Sequence, residues 1–472
     1  MMIKSLLGTI SLVLLYGAIQ AQEPTGTWYG ELAVQGKKLP LVFHINKNGD
    51  GYQSTMDSPT QGAKGIPIEK TTYASPLLII EASNFAITYT GAFLPDSNKI
   101  KGTFKQGSQS FPLVLTTTAQ SADLPMPKPR TQDPKNFPYK QEEITFINAK
   151  AGNKLAGTLT LPEGGKATKI AVLISGSGAQ NRDEEVTVFN HRPFLVLSDW
   201  LTRNGIAVLR YDDRGVGQST GNFSASTTAD FADDAEAAVT YIQSRDDLKN
   251  LSIGLIGHSE GGLIAPMVAS RNKSISFIVL EAAPGIPLDQ LMIQQNKDVG
   301  KLAGLSAKAL ERATAINTKI YGAMKQYEHL PTATFNQKID SMIRQDINAY
   351  PADERKGISV DEFVNNITKT LKSPWFRYFV SVDPAVYLSR TKCAVLALNG
   401  TLDAQVAYAE NLAAIKRNLQ KAGNKKFEVL AMEGLNHLFQ KAKTGSPTEY
   451  GDIEETTNPA VLQKISDWIK AL

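Results

Sequence analysis

The sequence predicts two globular units: a small all-β domain, then a doubly wound α/β domain that carries a helical insertion. Three observations lead there. Residues 25 to about 118 form short stretches of alternating character parted by turn residues, and no run of helical period interrupts them. From about residue 141, near-continuous apolar runs alternate with helical stretches, the texture of parallel strands covered on both faces. Between them lies "SADLPMPKPRTQDPKNFPYK", with prolines at 125, 127, 129, 134 and 138, which reads as an extended spacer over residues 119–140.

Length and composition agree with that division. A chain of 472 residues is long for one domain, and 42% hydrophobic with 20% charged residues describes a globular protein with a sizeable core. The 50 basic and 46 acidic residues are scattered, for a net charge of +4. No basic block marks a nucleic-acid footprint, so nucleic acid is not an expected partner. At the start, Lys4 precedes the apolar run "SLLGTISLVLLYGAI" and a small residue, Ala21, before the expected cut. That pattern is a secretory signal over residues 1–21 rather than a membrane span, and it implies export to the periplasm or beyond, with no stable membrane insertion after cleavage. The single cysteine, Cys393, sits in "KCAVLALNG" and is expected to be a buried strand residue. One cysteine excludes an intrachain disulfide and a cysteine-based metal cluster.

In chain order, the β-domain (25–118) opens with "GTWYGEL" and "LPLVFHI", turns at "NKNGDG", and continues through "PLLIIEA", "FAITYTG", "KIKGTF" and "SFPLVLTT". A barrel or a sandwich would satisfy this pattern. Its opening, Gly26–Thr27–Trp28, resembles the first strand of lipocalin-like barrels. The expectation is an accessory domain, with capture of a ligand as the alternative. The second unit (141–472) gives "EEITFIN", "KLAGTLTLP", "KIAVLISGSG", "GIAVLRYDD", "LSIGLIGHS", "ISFIVLEAAPG", "CAVLALNGTLD" and "FEVLAMEGLNH" as strands. Helices are expected at 228–245, 260–271, 405–421 and 459–471. The interval 286–385 breaks this rhythm with a long helical insertion, expected to be a lid.

Chemistry enters at "GHSEGG". A serine between small residues at a strand-to-helix joint can be a strained, exposed nucleophile, provided a base, an acid and oxyanion donors fall in the right places. Five histidines exist, and only His437, in "MEGLNHLF", follows the last strand. His258 adjoins Ser259 and is expected to point away from it. Asp403 follows the penultimate strand in "NGTLDAQV", where ligands of open α/β sheets bind; Glu281, after "ISFIVL", is the other candidate acid. The oxyanion donors are expected to be the backbone N–H of Glu260 and that of Ser177, with Gly178 as the alternative in the loop Ser175–Gly178. Nothing points to a cofactor: "GSGAQNRDE" lacks the Gly-Lys-Ser/Thr ending of a phosphate loop, and no histidine pair has metal-ligand spacing.

The segments "ISGSGAQNRDEE", "LRYDDRGVGQSTG", "GHSEGGLIAP", "LNGTLDAQV" and "GLNHLFQ" resemble the α/β-hydrolase superfamily, particularly bacterial secreted esterases and their serine-aminopeptidase-like relatives. The resemblance spans residues 141–472. It implies a serine hydrolase with Ser259 as nucleophile, His437 as base, Asp403 as acid, and Ser177 and Glu260 as oxyanion donors. It also makes Asp213 and Arg214 structural, and leaves Arg182 and Asp183 as either pocket wall or a local ion pair. The implied substrate is a small carboxylic ester, with a small peptide as the alternative. Among the lid residues, Asp353, Glu354, Asp361 and Glu362 read as a solvated face. The cluster Trp375, Phe376, Tyr378 and Phe379 reads as core packing, or as a wall for an apolar acyl group.

Overall fold

Alternation shapes the N-terminal unit. In the computed structural model, which describes residues 23–34, 37–49, 51–59, 63–82, 87–106, 109–118, 130–349 and 360–472, this unit is antiparallel throughout. Its strands are β1 (Gly26–Val34), β2 (Lys37–Asn48), β3 (Gly51–Ser58), β4 (Ala63–Pro67), β5 (Lys70–Ala74), β6 (Leu77–Ala82), β7 (Ile87–Leu94), β8 (Lys99–Gln106) and β9 (Gln109–Thr116). They run in the order β2-β1-β9-β8-β7-β6-β5-β3-β4, and a further β2–β3 pairing closes the ring. The unit is therefore a barrel. Every second residue points inward, as in the alternating burial along β7. Trp28, Phe43, Tyr89 and Phe104 fill the middle, and the Tyr89 hydroxyl donates to the carbonyl of Ile100 at 3.0 Å. The polar strands β3 and β5, and β4 with its proline, have few large apolar residues and were not expected from sequence.

The expected signal segment and the prolines at 125, 127 and 129 lie outside the described residues. Among the described residues, no helix is long and apolar enough to cross a membrane. The later part of the proline-rich stretch is anchored within the C-terminal unit. Arg130 is buried, its guanidinium donating to the carbonyls of Phe189, Tyr450 and Ile453, and Tyr139 donates to Asp199 at 2.8 Å.

The C-terminal unit is the expected doubly wound α/β sheet with a helical insertion. Its strands are β10 (Lys140–Ile147), β11 (Lys154–Leu161), β12 (Lys169–Ile174), β13 (Ala207–Tyr211), β14 (Ser252–His258), β15 (Ile275–Glu281), β16 (Ala394–Gly400) and β17 (Phe427–Met432). They lie in the order β10-β11-β13-β12-β14-β15-β16-β17, with β10 and β11 antiparallel and the pairings from β13 to β17 parallel. Strand period two sends Ile170 and Val172 to one face and Ala171 and Leu173 to the other. Helices α2 (Thr228–Ser244), α3 (Glu260–Ala269) and α10 (Tyr408–Lys421) cover the first face; α1 (Pro193–Arg203) and α11 (Pro459–Ala471) cover the second. Helix α1 was not expected from sequence, because Pro193 at its start also reads as loop punctuation.

The insertion between β15 and β16 contains α4 (Leu288–Leu302), α5 (Ala307–Tyr327), α6 (Thr332–Asn348), α7 (Val360–Leu371), α8 (Pro374–Phe379) and α9 (Ala385–Leu388). It has a core of its own around Met324, Phe335, Ile339 and Phe376. The cluster at 375–379 is thus divided: Phe376 packs into this core, while Trp375 and Phe379 stack at 4.9 Å and face the sheet's C-terminal edge. Asp353 and Glu354 lie outside the described residues, and Asp361 is exposed and paired with Arg344.

Candidate active site

The joint between β14 and α3 is strained at Ser259, whose φ of 52° and ψ of −115° are unusual for a residue with a side chain. Two glycines make the turn possible. A Cβ on Gly257 would lie 2.0 Å from the Gly261 carbonyl oxygen, and one on Gly261 would lie 2.0 Å from that of Ile174. The Ser259 N–H is held by the Glu281 carbonyl at 2.8 Å, leaving the serine at the N-terminus of α3, the end of a helix that favours negative charge.

Two further strand ends converge here. Asp403 follows β16 and its Oδ1 accepts from the N–H groups of Gln405 and Val406 at 2.8 and 2.9 Å. Its Oδ2 lies 2.8 Å from Nδ1 of His437, which follows β17; both side chains are buried. The carboxylate holds a proton on Nδ1 and so turns Nε2 toward the cavity as the other ring nitrogen. Helix α10 begins at Tyr408 with Ala407 at its cap, so Asp403 does not cap it.

The loop after β12 passes against the serine. A Cβ on Gly176 would lie 3.2 Å from the Cβ of Ser259. The Gly176 N–H is already spent on Glu184 Oε1 at 2.6 Å. Asp213 braces this loop by accepting from Ser175 Oγ and the Gln180 N–H, each at 3.0 Å. The carboxylate of Glu260 is buried and ties three elements together: it accepts from Ser177 Oγ at 2.7 Å, from Thr228 Oγ1 at 2.7 Å and from the Trp375 indole at 2.9 Å. Arg182 and Asp183 form ion pairs, with Asp212 and Arg210 respectively. Arg214 pairs with Asp234 at 2.6 Å.

Sequence reasoning missed one group. His258 does not simply turn away; its ring lies 4.9 Å from that of His437. Its Nδ1 is 2.9 Å from Glu184 Oε1 and its Nε2 is 3.0 Å from the His437 carbonyl oxygen. Both partners are acceptors, so both nitrogens must carry protons. Burial would lower the pKa of this imidazole, but the Glu184 carboxylate overrides it and raises the value to about 9. Glu281, the other candidate acid, belongs to this group and not to His437. Burial pushes its carboxyl up to about 7. It shares with Glu184 and His258 a cavity of about 20 Å³, room for one water. The only sequence signal was the run "DEE" after the oxyanion loop, which looks like surface charge.

Ser259, His437, Ser177 and Glu260 line a common cavity of about 450 Å³, walled from the insertion by Leu291, Met292, Trp375 and Phe379. Among the described residues, no group of three or more His, Cys, Asp or Glu is disposed to hold a metal.

Residues 192–354 match the family described as "Serine aminopeptidase, S33". Esterase EstD of Thermotoga maritima is 26% identical over 344 residues, covering 71% of this chain and 68% of that protein. Solved structures of similar shape include the Pyrococcus furiosus esterase Pf2001 (16% identity, 72% of this chain, 93% of that one, TM-score 0.43). Another is Est1E of Butyrivibrio proteoclasticus with ferulic acid bound (17% identity, 70% and 98%, TM-score 0.41).

Proposed function

We propose that this α/β-hydrolase is a serine hydrolase that cleaves small carboxylic esters through an acyl-enzyme. The observation that carries the reading is His437, held by Asp403 at 2.8 Å and lining the same cavity as Ser259 on its strained elbow. In the reaction, His437 Nε2 takes the Ser259 proton as Oγ attacks the ester carbonyl, and the C–O bond to the alcohol breaks with that proton passing to the leaving oxygen. Water, activated by the same histidine, then hydrolyses the acyl-serine. The N–H groups of Ser177 and Glu260 hold the oxyanion in both halves, aided by the N-terminus of α3. Asp403 orients the imidazole and stabilises its charged form.

Esters are favoured over peptides by the state of the acidic side chains. Glu184 and Glu260 line the cavity, but Glu184 is paired with the His258 cation and Glu260 is saturated by Ser177, Thr228 and Trp375. Among the described lining residues, no further carboxylate is there to receive a substrate ammonium. Trp375, Phe379 and Met292 suit an apolar acyl group. The similarity to an esterase supports the same reading. Export, drawn from the Lys4-led apolar run, is part of this proposal.

The test is a panel of p-nitrophenyl acyl esters beside aminoacyl and dipeptidyl p-nitroanilides. Higher kcat/KM on the esters is expected. Faster turnover of the anilides would replace the esterase reading with an aminopeptidase one.

A further inference from the structure

The cavity over Ser259 has two walls of different chemistry. Trp375 stands with its stacking partner Phe379 on the side of the oxyanion loop, because the Glu260 carboxylate binds both Trp375 and Ser177. On the side of the acid and base loops, three uncharged polar side chains form a row. Gln295 Nε2, from α4, donates to Gln405 Oε1 at 3.3 Å, and Gln405 Nε2 donates to the Tyr450 hydroxyl at 3.0 Å.

This row is rigidly held. The Gln405 backbone is pinned to Asp403, the carboxylate that orients His437. Tyr450 is buried, packs edge-on against Phe189 at 6.3 Å, and its carbonyl accepts from Arg130 and Gln440. The row is also unsaturated. Among the described residues, and beyond the two bonds it makes internally, the row leaves the Gln295 carbonyl oxygen and one of its N–H groups, one Gln405 N–H and the Tyr450 proton without a side-chain or backbone partner. Donors and acceptors alternate and carry no charge. A hydroxyl, which both donates and accepts, fits such a row; a phosphate, carboxylate or ammonium would want a counter-charge that the row lacks.

The reaction decides which part of the substrate meets it. His437 must protonate the leaving oxygen, so the alcohol lies against the loops carrying Asp403 and His437, and the acyl chain runs toward Trp375. We infer that Gln295, Gln405 and Tyr450 form a leaving-group subsite for a polyhydroxylated alcohol, a glycerol- or sugar-type polyol esterified to an apolar acid. This rests on the serine-esterase reading.

The experiment uses the full-length enzyme and three esters sharing a phenylacetyl group, on ethanol, glycerol and methyl glucoside. Turnover of the glycerol or glucoside ester should exceed that of the ethyl ester by about tenfold or more in kcat/KM, and the better of the two gives the size of the polyol. Tyr450→Phe and Gln295→Leu should each lower that preference roughly five- to tenfold, since each removes one or two hydrogen bonds. A wild-type preference near one, or a preference that both variants leave intact, overturns the subsite. Fluorophosphonate labelling of the same preparations separates the two readings. Labelled enzyme without alcohol preference sinks only the subsite, whereas wild-type enzyme that cannot be labelled sinks the esterase reading beneath it.

Discussion

The buried imidazole of His258 is paired with the buried carboxylate of Glu184 at 2.9 Å, directly behind the nucleophile elbow. The pair joins the loop after β12 to the loop after β17, the two that the proposed chemistry uses. Glu184 holds the Gly176 N–H of the oxyanion loop, and His258 holds the carbonyl of His437. Breaking a buried pair by neutralising one partner strands the other charge and costs about 3–5 kcal/mol. Glu184→Gln should therefore lower stability by roughly that amount, read from the urea midpoint at constant slope. A loss below about 1 kcal/mol would show the pair to be dispensable.

The same group sets a pH dependence of stability. Glu281 is raised to about 7 by burial, so between its unfolded value and about 7 the native state holds a proton that the unfolded chain has released. That contribution is complete below the unfolded value and is lost as pH rises through about 7. His258, raised to about 9, loses its contribution between its ordinary value and about 9, and Asp213, which burial raises to about 8, acts in the same direction. Thermal midpoints should fall as pH is taken from 5 to 9, and Glu281→Gln should flatten the part below about 7. A midpoint that rises across this range would contradict the assignment of these protons.

Much of this architecture was legible in the sequence, for physical reasons that differ by region. Buried parallel strands such as β12, β14 and β16 must be apolar along their whole length, so their runs stand out. Residues at their C-terminal ends could then be named in order, Ser175–Gly178, Ser259 and Asp403, with His437 after the half-buried edge strand β17. The barrel's filled interior could not be told from a sandwich, because both demand the same alternation. Nor could the His258 cluster be read, since its bonds span 74 and 179 residues and depend on how three loops pack. Arg130 was hidden too: within a proline-rich stretch a basic residue looks solvated, yet its partners are carbonyls about 60 to 320 residues away.

The acid can be tested directly. Asp403→Asn should cut kcat/KM by roughly ten-thousandfold by holding the wrong imidazole tautomer, with little change in unfolding midpoint. Glu281→Gln should cost far less. A reversal of the two effects would move the acid to the end of β15.

The boundary between the units gives another test. Arg130 satisfies buried carbonyls of Phe189, Tyr450 and Ile453, so Arg130→Ala should destabilise the C-terminal unit by about 2–4 kcal/mol. A chain beginning at residue 124 should fold and keep ester turnover, whereas one beginning at residue 134 should melt at a lower temperature. Equal melting of the two would show that the anchor contributes nothing.

The central claim is that Ser259 attacks the substrate. Wild-type enzyme treated with a fluorophosphonate should gain one adduct, on the tryptic peptide 250–271, and lose ester turnover in step. Ser259→Ala should take up none and fall in kcat by about a millionfold, to the background left by the oxyanion hole and substrate binding. Labelling that persists in the alanine variant, or an adduct on any other peptide that tracks the loss of activity, would contradict the claim.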